Sequence, residues 1–293
     1  MNRSRDFFWI VCAYVVALAV AFGVGAYATQ YSSHPLLISA IADVSATVLI
    51  FTFSCVFRNS SFYDAYWSVA PPVLVAYWLV SYGVLDLRLG LVFLLVLLWA
   101  IRLTHNWARG WRGLAHEDWR YIDLKEKTGI AYPLVDFLGI QLLPTILVFI
   151  GCIPVWLVIV SSQGPGAQMY FQDLVWIVVG YGALYLEYRA DNVLRRFRLD
   201  ESNQGRVLQE DVWGWCRHPN YLGELGFWLA LAIVGYQVSA SLWAWAGIAA
   251  MIALFVGISV PMIDKRQLAN KPDYAQYKSR VWAFIPLPPK GRS

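Results

Sequence analysis

Charge is what this sequence has least of. Only 14% of its 293 residues are charged, and 59% are hydrophobic. An ordinary soluble domain carries about a quarter charged residues, so that class is excluded. Cysteine is also scarce. Of the four, Cys12, Cys55 and Cys152 sit inside apolar runs, Cys216 sits in a polar patch, and no Cys-x-x-Cys pair exists. Neither a disulfide framework nor a zinc site is expected. His34, His105, His116 and His218 are scattered without His-Glu-x-x-His spacing, which leaves no metal site to predict. No G-x-G-x-x-G or G-x-x-x-x-G-K occurs, excluding Rossmann and P-loop nucleotide sites, and no nucleophile elbow occurs. The formal net charge of +4 is modest and comes without an isolated basic arm, so no nucleic-acid partner is expected. No internal repeat or low-complexity segment stands out.

What is present is apolar length. A helical span needs about 20 apolar residues, and hydropathy gives eight candidates, at 7–28, 36–57, 68–84, 89–103, 134–160, 174–187, 222–234 and 242–263. The third, fourth and seventh are short, so seven spans is the alternative. The first run is long enough to cross a membrane and lacks an A-x-A-like cleavage site, so it reads as a retained helix and not a signal peptide. Trp107 and Trp111 suggest that the fourth helix continues beyond the membrane.

Lys and Arg concentrate at the N-terminus, at 106–132, after Glu187 and in the tail, whereas 161–172 and 235–240 have none. Eight spans with both termini in the cytoplasm fit that alternation. The expectation is an all-α integral membrane protein of a bacterial inner membrane, a bundle of seven or eight helices with a cofactor pocket on the cytosolic side. It forms a single domain, 1–293, softly divided near Tyr132. Residues 1–131 would form the lipid-substrate side and 132–285 the cofactor side, with 286–293 a short disordered tail.

Polar residues near hydrocarbon are costly and usually have a task. The densest patch is WGWCRHPNYLGE at 213–224. Pro219 biases His218 to an extended conformation, Asn220 is a plausible N-cap for the next helix, and helix N-termini attract phosphates. Arg217, His218, Asn220, Tyr221 and Glu224 can together hold a nucleotide, with Arg206 just upstream. In YLEYRADNVLRRFRLD from Tyr185, steps of about 100 degrees put Glu187, Asp191, Arg195 and Arg198 on one face, with Arg189 and Arg196 pointing away. Guanidiniums clamp phosphates and carboxylates accept from ribose hydroxyls, although i,i+4 pairs on a wet helix end give the same pattern. Trp99, Arg102, Asn106 and Arg109 fall within an arc of about 80 degrees; Arg102 and Asn106 are candidates for cofactor contact, while Arg109 can snorkel. In NSSFYDAYW, from Asn59, Asp64 flanked by Tyr63 and Tyr66 is a candidate proton-donating system, and Asp43 is a second intramembrane carboxylate. Glu117, Asp118, Arg120 and Tyr121, in AHEDWRY, can form a loop network.

These motifs resemble the steroid 5-alpha-reductase C-terminal-domain superfamily, most closely its bacterial branch of formerly unknown function. The resemblance runs from about Asn59 to Pro286. It is carried by Arg217-His218-Pro219-Asn220-Tyr221-x-Gly223-Glu224, by Glu187-x-x-Ala190-Asp191, by Glu117-Asp118-Trp119-Arg120-Tyr121, and by Tyr274-x-x-Tyr277-Lys278-x-Arg280 before Ile285-Pro286. It implies a multi-span reductase using NADPH to saturate an activated carbon–carbon double bond of a lipid, steroid or isoprenoid enone. Asp191, Arg195, Arg198, Arg206, Asn220 and Glu224 would contact the cofactor, Arg217, His218 and Tyr221 would line the same pocket, and Tyr277 would close it. Two positions depart from the steroid reductases. Glu187 stands where they carry Asn, and Trp99 stands at their proton-donating Tyr. The acid would then be Tyr63, Tyr66 or Tyr121, with Asp64 as the carboxylate. The alternatives are an S-adenosylmethionine-dependent membrane methyltransferase of the isoprenylcysteine or phospholipid type, whose Arg-His-Pro-x-Tyr helix start is similar, and a non-catalytic lipid-binding protein.

Overall fold

A computed structural model of the chain describes residues 3–162 and 168–287. Every element in them is helical, and no strand occurs among the described residues. The helices are α1 (Arg3–Ala28), α2 (Pro35–Phe57), α3 (Tyr66–Tyr82), α4 (Leu87–Gly110), α5 (Trp119–Thr128), α6 (Tyr132–Val135), α7 (Leu143–Ser161), α8 (Asp173–Leu199), α9 (Pro219–Ser239), α10 (Ala246–Leu254), α11 (Val260–Asn270) and α12 (Tyr274–Arg280). Six stretches are long and apolar enough to cross a membrane: Arg3–Ala28, Pro35–Phe57, Leu87–Gly110, Trp119–Ser161, Pro219–Ser239 and Leu242–Asn270. The chain is a multi-pass helical membrane protein. All eight predicted runs become helical, but two fall short as spans. α3 has 17 residues, and α8 turns charged from Glu187 onward. From residue 288 on, the expected tail lies outside the described residues.

The described residues fall into two compact units, within Met1–Ala167 and within Gln168–Ser293. Helices α6 and α7 therefore group with the N-terminal half, beyond the soft division expected at Tyr132. In the first unit, α1 buries Asp6, Ile10, Ala13, Ala17, Gly25 and Ala28, a helical spacing of mostly small residues. Its opposite side shows Phe8, Val15 and Phe22. Small residues let helix backbones approach where lipid supplies no hydrophobic drive between helices, and Gly25 lies against Ile38 and Ala42 of α2.

Two π-helical segments, Asp136–Leu142 and Phe255–Ser259, each end two residues before a proline, Pro144 and Pro261. A proline cannot donate to the carbonyl four residues back and its ring pushes that carbonyl aside, so the preceding turn widens. The first of these turns brings Gln141 Nε2 within 3.0 Å of Asp136 Oδ1, five residues earlier.

In the second unit α8 and α9 are in close contact. A Cβ on Gly223 would fall 2.3 Å from Glu187 Cγ and 2.9 Å from the Ala183 carbonyl oxygen. Gly223→Ala must therefore part the two helices, at an expected cost of about 1–3 kcal/mol. A thermal melt in detergent checks this against Gly90→Ala, whose new methyl meets nothing within 4 Å.

Candidate functional site

In the first unit the polar residues of 58–66 divide between two centres. Asn59 caps the 3₁₀ turn Ser60–Tyr63 through Ser61 N at 2.9 Å, and its amide donates to the Leu114 and His116 carbonyls. Asp64 leaves that turn toward α5 and accepts from Tyr121 Oη at 2.7 Å. Asp118 caps α5 and chelates Arg120, and Glu117 binds Lys125 and Ser60 N. The predicted loop network is present, and it holds Asp64 and Tyr121 together. Burial pushes the Asp64 carboxyl up to about 6, against the pull of the Tyr121 hydroxyl, Ser61 and the Arg120 guanidinium. In an unfolded chain an aspartate titrates at about 3.9. Between those values the folded state keeps a proton the unfolded state has released, so stability falls as pH rises from about 4 to about 6. Asp64→Asn is expected to flatten that slope in a pH series of thermal melts; an unchanged slope would assign it to another group.

The second centre was only half legible. Tyr66, at the start of α3, donates to Asp43 Oδ1 of α2 at 3.2 Å. Both line an apolar cavity of about 230 Å³ walled by α1, α2 and α3, with Leu18, Phe22, Ile38 and Leu74 among its lining. Asp43, and not Asp64, is thus the carboxylate beside Tyr66. Tyr63 points elsewhere, meeting Thr145 Oγ1 of α7 at 2.8 Å. Trp99 is fully buried, edge-on to Trp67 at 5.6 Å between centroids. On α4 the predicted face turns inward at Trp99, and Arg102 and Asn106 are half-buried, with Asn106 Oδ1 accepting from Arg109 at 2.7 Å.

In the second unit the α8 face is as predicted at its inner end and opens toward its outer end. Glu187 and Asp191 are buried, Arg195 is half-buried and Arg198 exposed, while Arg189 points away and pairs with Asp211. Arg206 is exposed in the following loop. The 213–224 patch forms an internal clip. Arg217 N and His218 N donate to the Trp282 and Ala283 carbonyls at 2.9 and 3.1 Å. Arg217 Nη1 reaches the Lys278 carbonyl, and Tyr277 Oη donates to the Trp213 carbonyl at 2.5 Å. The hub of the clip is Asp264. It binds Arg217 at 3.3 Å, His218 at 3.1 Å and Lys278 at 3.1 Å, and accepts from Tyr274. No local signal marks it, because Asp264 sits in the string Asp264-Lys265-Arg266 at an apolar run's end and looks like an ordinary wet boundary.

One expected role changes, that of the helix cap. His218, not Asn220, is the N-cap of α9, with Pro219 in its first turn and no side-chain cap. Glu224 accepts from Trp228 Nε1 at 2.9 Å. Tyr221 stacks on Phe255 at 4.7 Å and on His218 at 5.8 Å. The cavity beside the α9 N-terminus, about 430 Å³, is lined by Leu186, Trp215, Cys216, Pro219 and Leu222, among others, and by none of the predicted cofactor residues. Among the described residues no three His, Cys, Asp or Glu side chains gather as metal ligands.

Comparison with known proteins places the chain. Residues 50–281 match the family described as protein of unknown function, DUF1295. The chain belongs to that family. The DUF1295 region takes in Asp64, Tyr66, Thr145 and Asp264 with its side-chain partners, while Asp43 precedes it and Trp282 and Ala283 follow it. An uncharacterized protein of Schizosaccharomyces pombe, C594.04c, is 23% identical over 286 residues, covering 87% of this chain and 81% of that protein. No solved structure matches the chain.

Proposed function

We propose that this DUF1295 protein is an NADPH-dependent membrane reductase that saturates the activated double bond of a lipid-soluble enone. The observation that carries the reading is the Asp43–Tyr66 pair, a carboxyl and a phenol hydrogen-bonded at 3.2 Å in the wall of a mostly apolar cavity. A buried ionisable residue in a membrane helix is a functional candidate in its own right. At about 230 Å³ the cavity is below the usual ligand range of about 300–1,000 Å³. It suits the reactive head of a lipid better than the whole molecule.

The resemblance to steroid 5-alpha-reductases supports the cofactor assignment, and the chemistry of the α8 end fits it. Arg195, Arg198 and Arg206 supply guanidiniums where the helix becomes exposed, and these suit the phosphates of NADPH. Arg217, His218 and Tyr277 shape this region through the Asp264 clip. When bound, NADPH would supply the hydride that saturates the double bond. Tyr66 Oη would donate to the enone oxygen, which becomes more basic as the hydride arrives, while Asp43 Oδ1 holds that hydroxyl in line. The apolar wall of α1 and α2 would keep water from the reacting carbon.

Enone-dependent loss of NADPH absorbance tests this, with lipid extracts as the substrate source. Wild-type protein should oxidise NADPH only when extract is added. Extract-independent oxidation, or none with any extract, would count against the reading.

A further inference from the structure

The cavity beside Tyr66 is long and has one shut end. On α1 its lining runs from Leu18 through Ala21 and Gly25 to Thr29, and on α3 from Tyr66 through Ala70 to Tyr77. At about 1.5 Å per helical residue, each wall is about 16 Å long. α2 supplies the floor, from Ile38 to Asp43. At the shut end Tyr14, a turn before Leu18, donates to the Phe62 carbonyl at 2.8 Å and accepts from Ala65 N at 3.2 Å, with its ring edge-on to Tyr66. Toward the other end the α1 wall is exposed at Phe22, Ala26 and Thr29, with Phe22 61% exposed. In a membrane-spanning helix that flank faces lipid.

Polarity along this slot is one-sided. Ser39 Oγ donates to the Leu36 carbonyl and accepts from Trp78 Nε1, and Thr29 Oγ1 donates to the Ala26 carbonyl. Between Tyr66 and Tyr77 the α3 lining is Ala70, Val73 and Leu74. A polar head therefore finds its partners at the shut end, at Asp43 and Tyr66. Size decides what can follow the head. A cavity of about 150 Å³ encloses one benzene ring, so one of about 230 Å³ cannot enclose four fused rings. Its walls also resist parting. The Trp78–Ser39 and Tyr66–Asp43 bonds tie α3 to α2 at both ends of the slot, and Gly25 holds α1 close to Ile38 and Ala42. Overfilling a packed site forces side chains off their rotamers and shifts backbone. A single chain meets no such difficulty, because its far part can leave past Phe22 into lipid as apolar as the slot.

We propose that the substrate is a lipid enone with one chain, which enters from the bilayer between α1 and α3 with its carbonyl toward Tyr66 and its chain along the slot and out past Phe22. This names the substrate class of the reductase reading and rests on that reading. A steroid enone presents the same carbonyl to Tyr66, so shape and not chemistry separates the two.

Photolabelling tests this on purified full-length protein in lipid nanodiscs. Two straight-chain methyl enones are used, one carrying a diazirine next to the enone and the other at the chain end, and the labels are mapped by peptide mass spectrometry. The first should mark the shut end, at Leu18 or Ala70, and the second the open end, at Ala26, Thr29 or Tyr77. Excess unlabelled straight-chain enone should suppress both labels on the order of ten-fold, whereas testosterone, a four-ring enone, should leave them unchanged. Ala21→Leu, which narrows the slot near its shut end, should weaken the first label on the order of ten-fold. Val20→Leu, outside the lining, should not. The competition uses wild-type protein and so does not depend on either variant folding. Suppression by testosterone equal to that by the straight-chain enone, or labels scattered over the lipid-facing helices, would overturn the assignment. NADPH oxidation is followed with the same straight-chain enone. Slot labelling without oxidation would count against the reductase reading and leave the single-chain assignment standing.

Discussion

Tyr66→Phe and Asp43→Asn should each cut turnover by on the order of 10²–10⁴, the usual contribution of a positioned acid, without weakening NADPH binding. Phenylalanine keeps the ring that packs against Tyr63 and Tyr14 and removes only the proton. Asparagine keeps the shape of Asp43, but its amide can present N–H in place of the oxygen that accepts from Tyr66. Turnover at saturating NADPH isolates the chemical step, and the thermal shift by NADPH reports the cofactor. The informative counter-set is Tyr121→Phe and Asp64→Asn, which break the 2.7 Å pair on the α5 side. If those two abolish turnover while Tyr66→Phe does not, the acid belongs to the Asp64–Tyr121 centre.

Asp264→Ala should have the largest effect on stability. Removing the hub leaves Arg217, 9% exposed, and His218 without their carboxylate. Stranding a buried charge in this way typically costs about 3–5 kcal/mol. Lys278, 41% exposed, should matter little on its own, because solvent-facing pairs contribute about 0–1 kcal/mol. Asp264→Asn should fall between the two, since it still accepts from Tyr274 but no longer balances Arg217. Thermal melts rank the three variants. Limited proteolysis adds location, with cleavage expected first in 271–287, the segment the clip ties to 216–218. An Asp264→Ala protein as stable and protease-resistant as wild type would mean the backbone bonds to Trp282 and Ala283 suffice.

The sequence made the helices legible because apolar length dictates them. Every run of adequate length became helical, down to the extension of α4 to Gly110 that Trp107 suggested. The α8 wheel is legible for the same reason, since one helix obeys one period, which puts Arg189 on a different side from buried Glu187 and Asp191. Partnerships across elements were not legible. Asp64 and Tyr66 are neighbours in sequence, but two residues apart in a helical turn face different ways, so one reaches α5 and the other α2. Asp43 drew notice only as a carboxylate inside an apolar run; nothing local named Tyr66 as its donor, 23 residues on. Asp264 was the harder case. Its partners His218 and Tyr274 lie 46 residues before and 10 after, and only the fold brings them together.

One titration bears on the reductase reading most directly. The purified full chain is melted with increasing NADPH and, separately, with increasing S-adenosylmethionine. A ligand that binds only the folded state stabilises it by about 2.7 kcal/mol at a hundred times its Kd. We expect a saturating shift with NADPH, weakened when Arg198 and Arg206 are both replaced by alanine, and no shift with S-adenosylmethionine. A shift with S-adenosylmethionine and none with NADPH would contradict it.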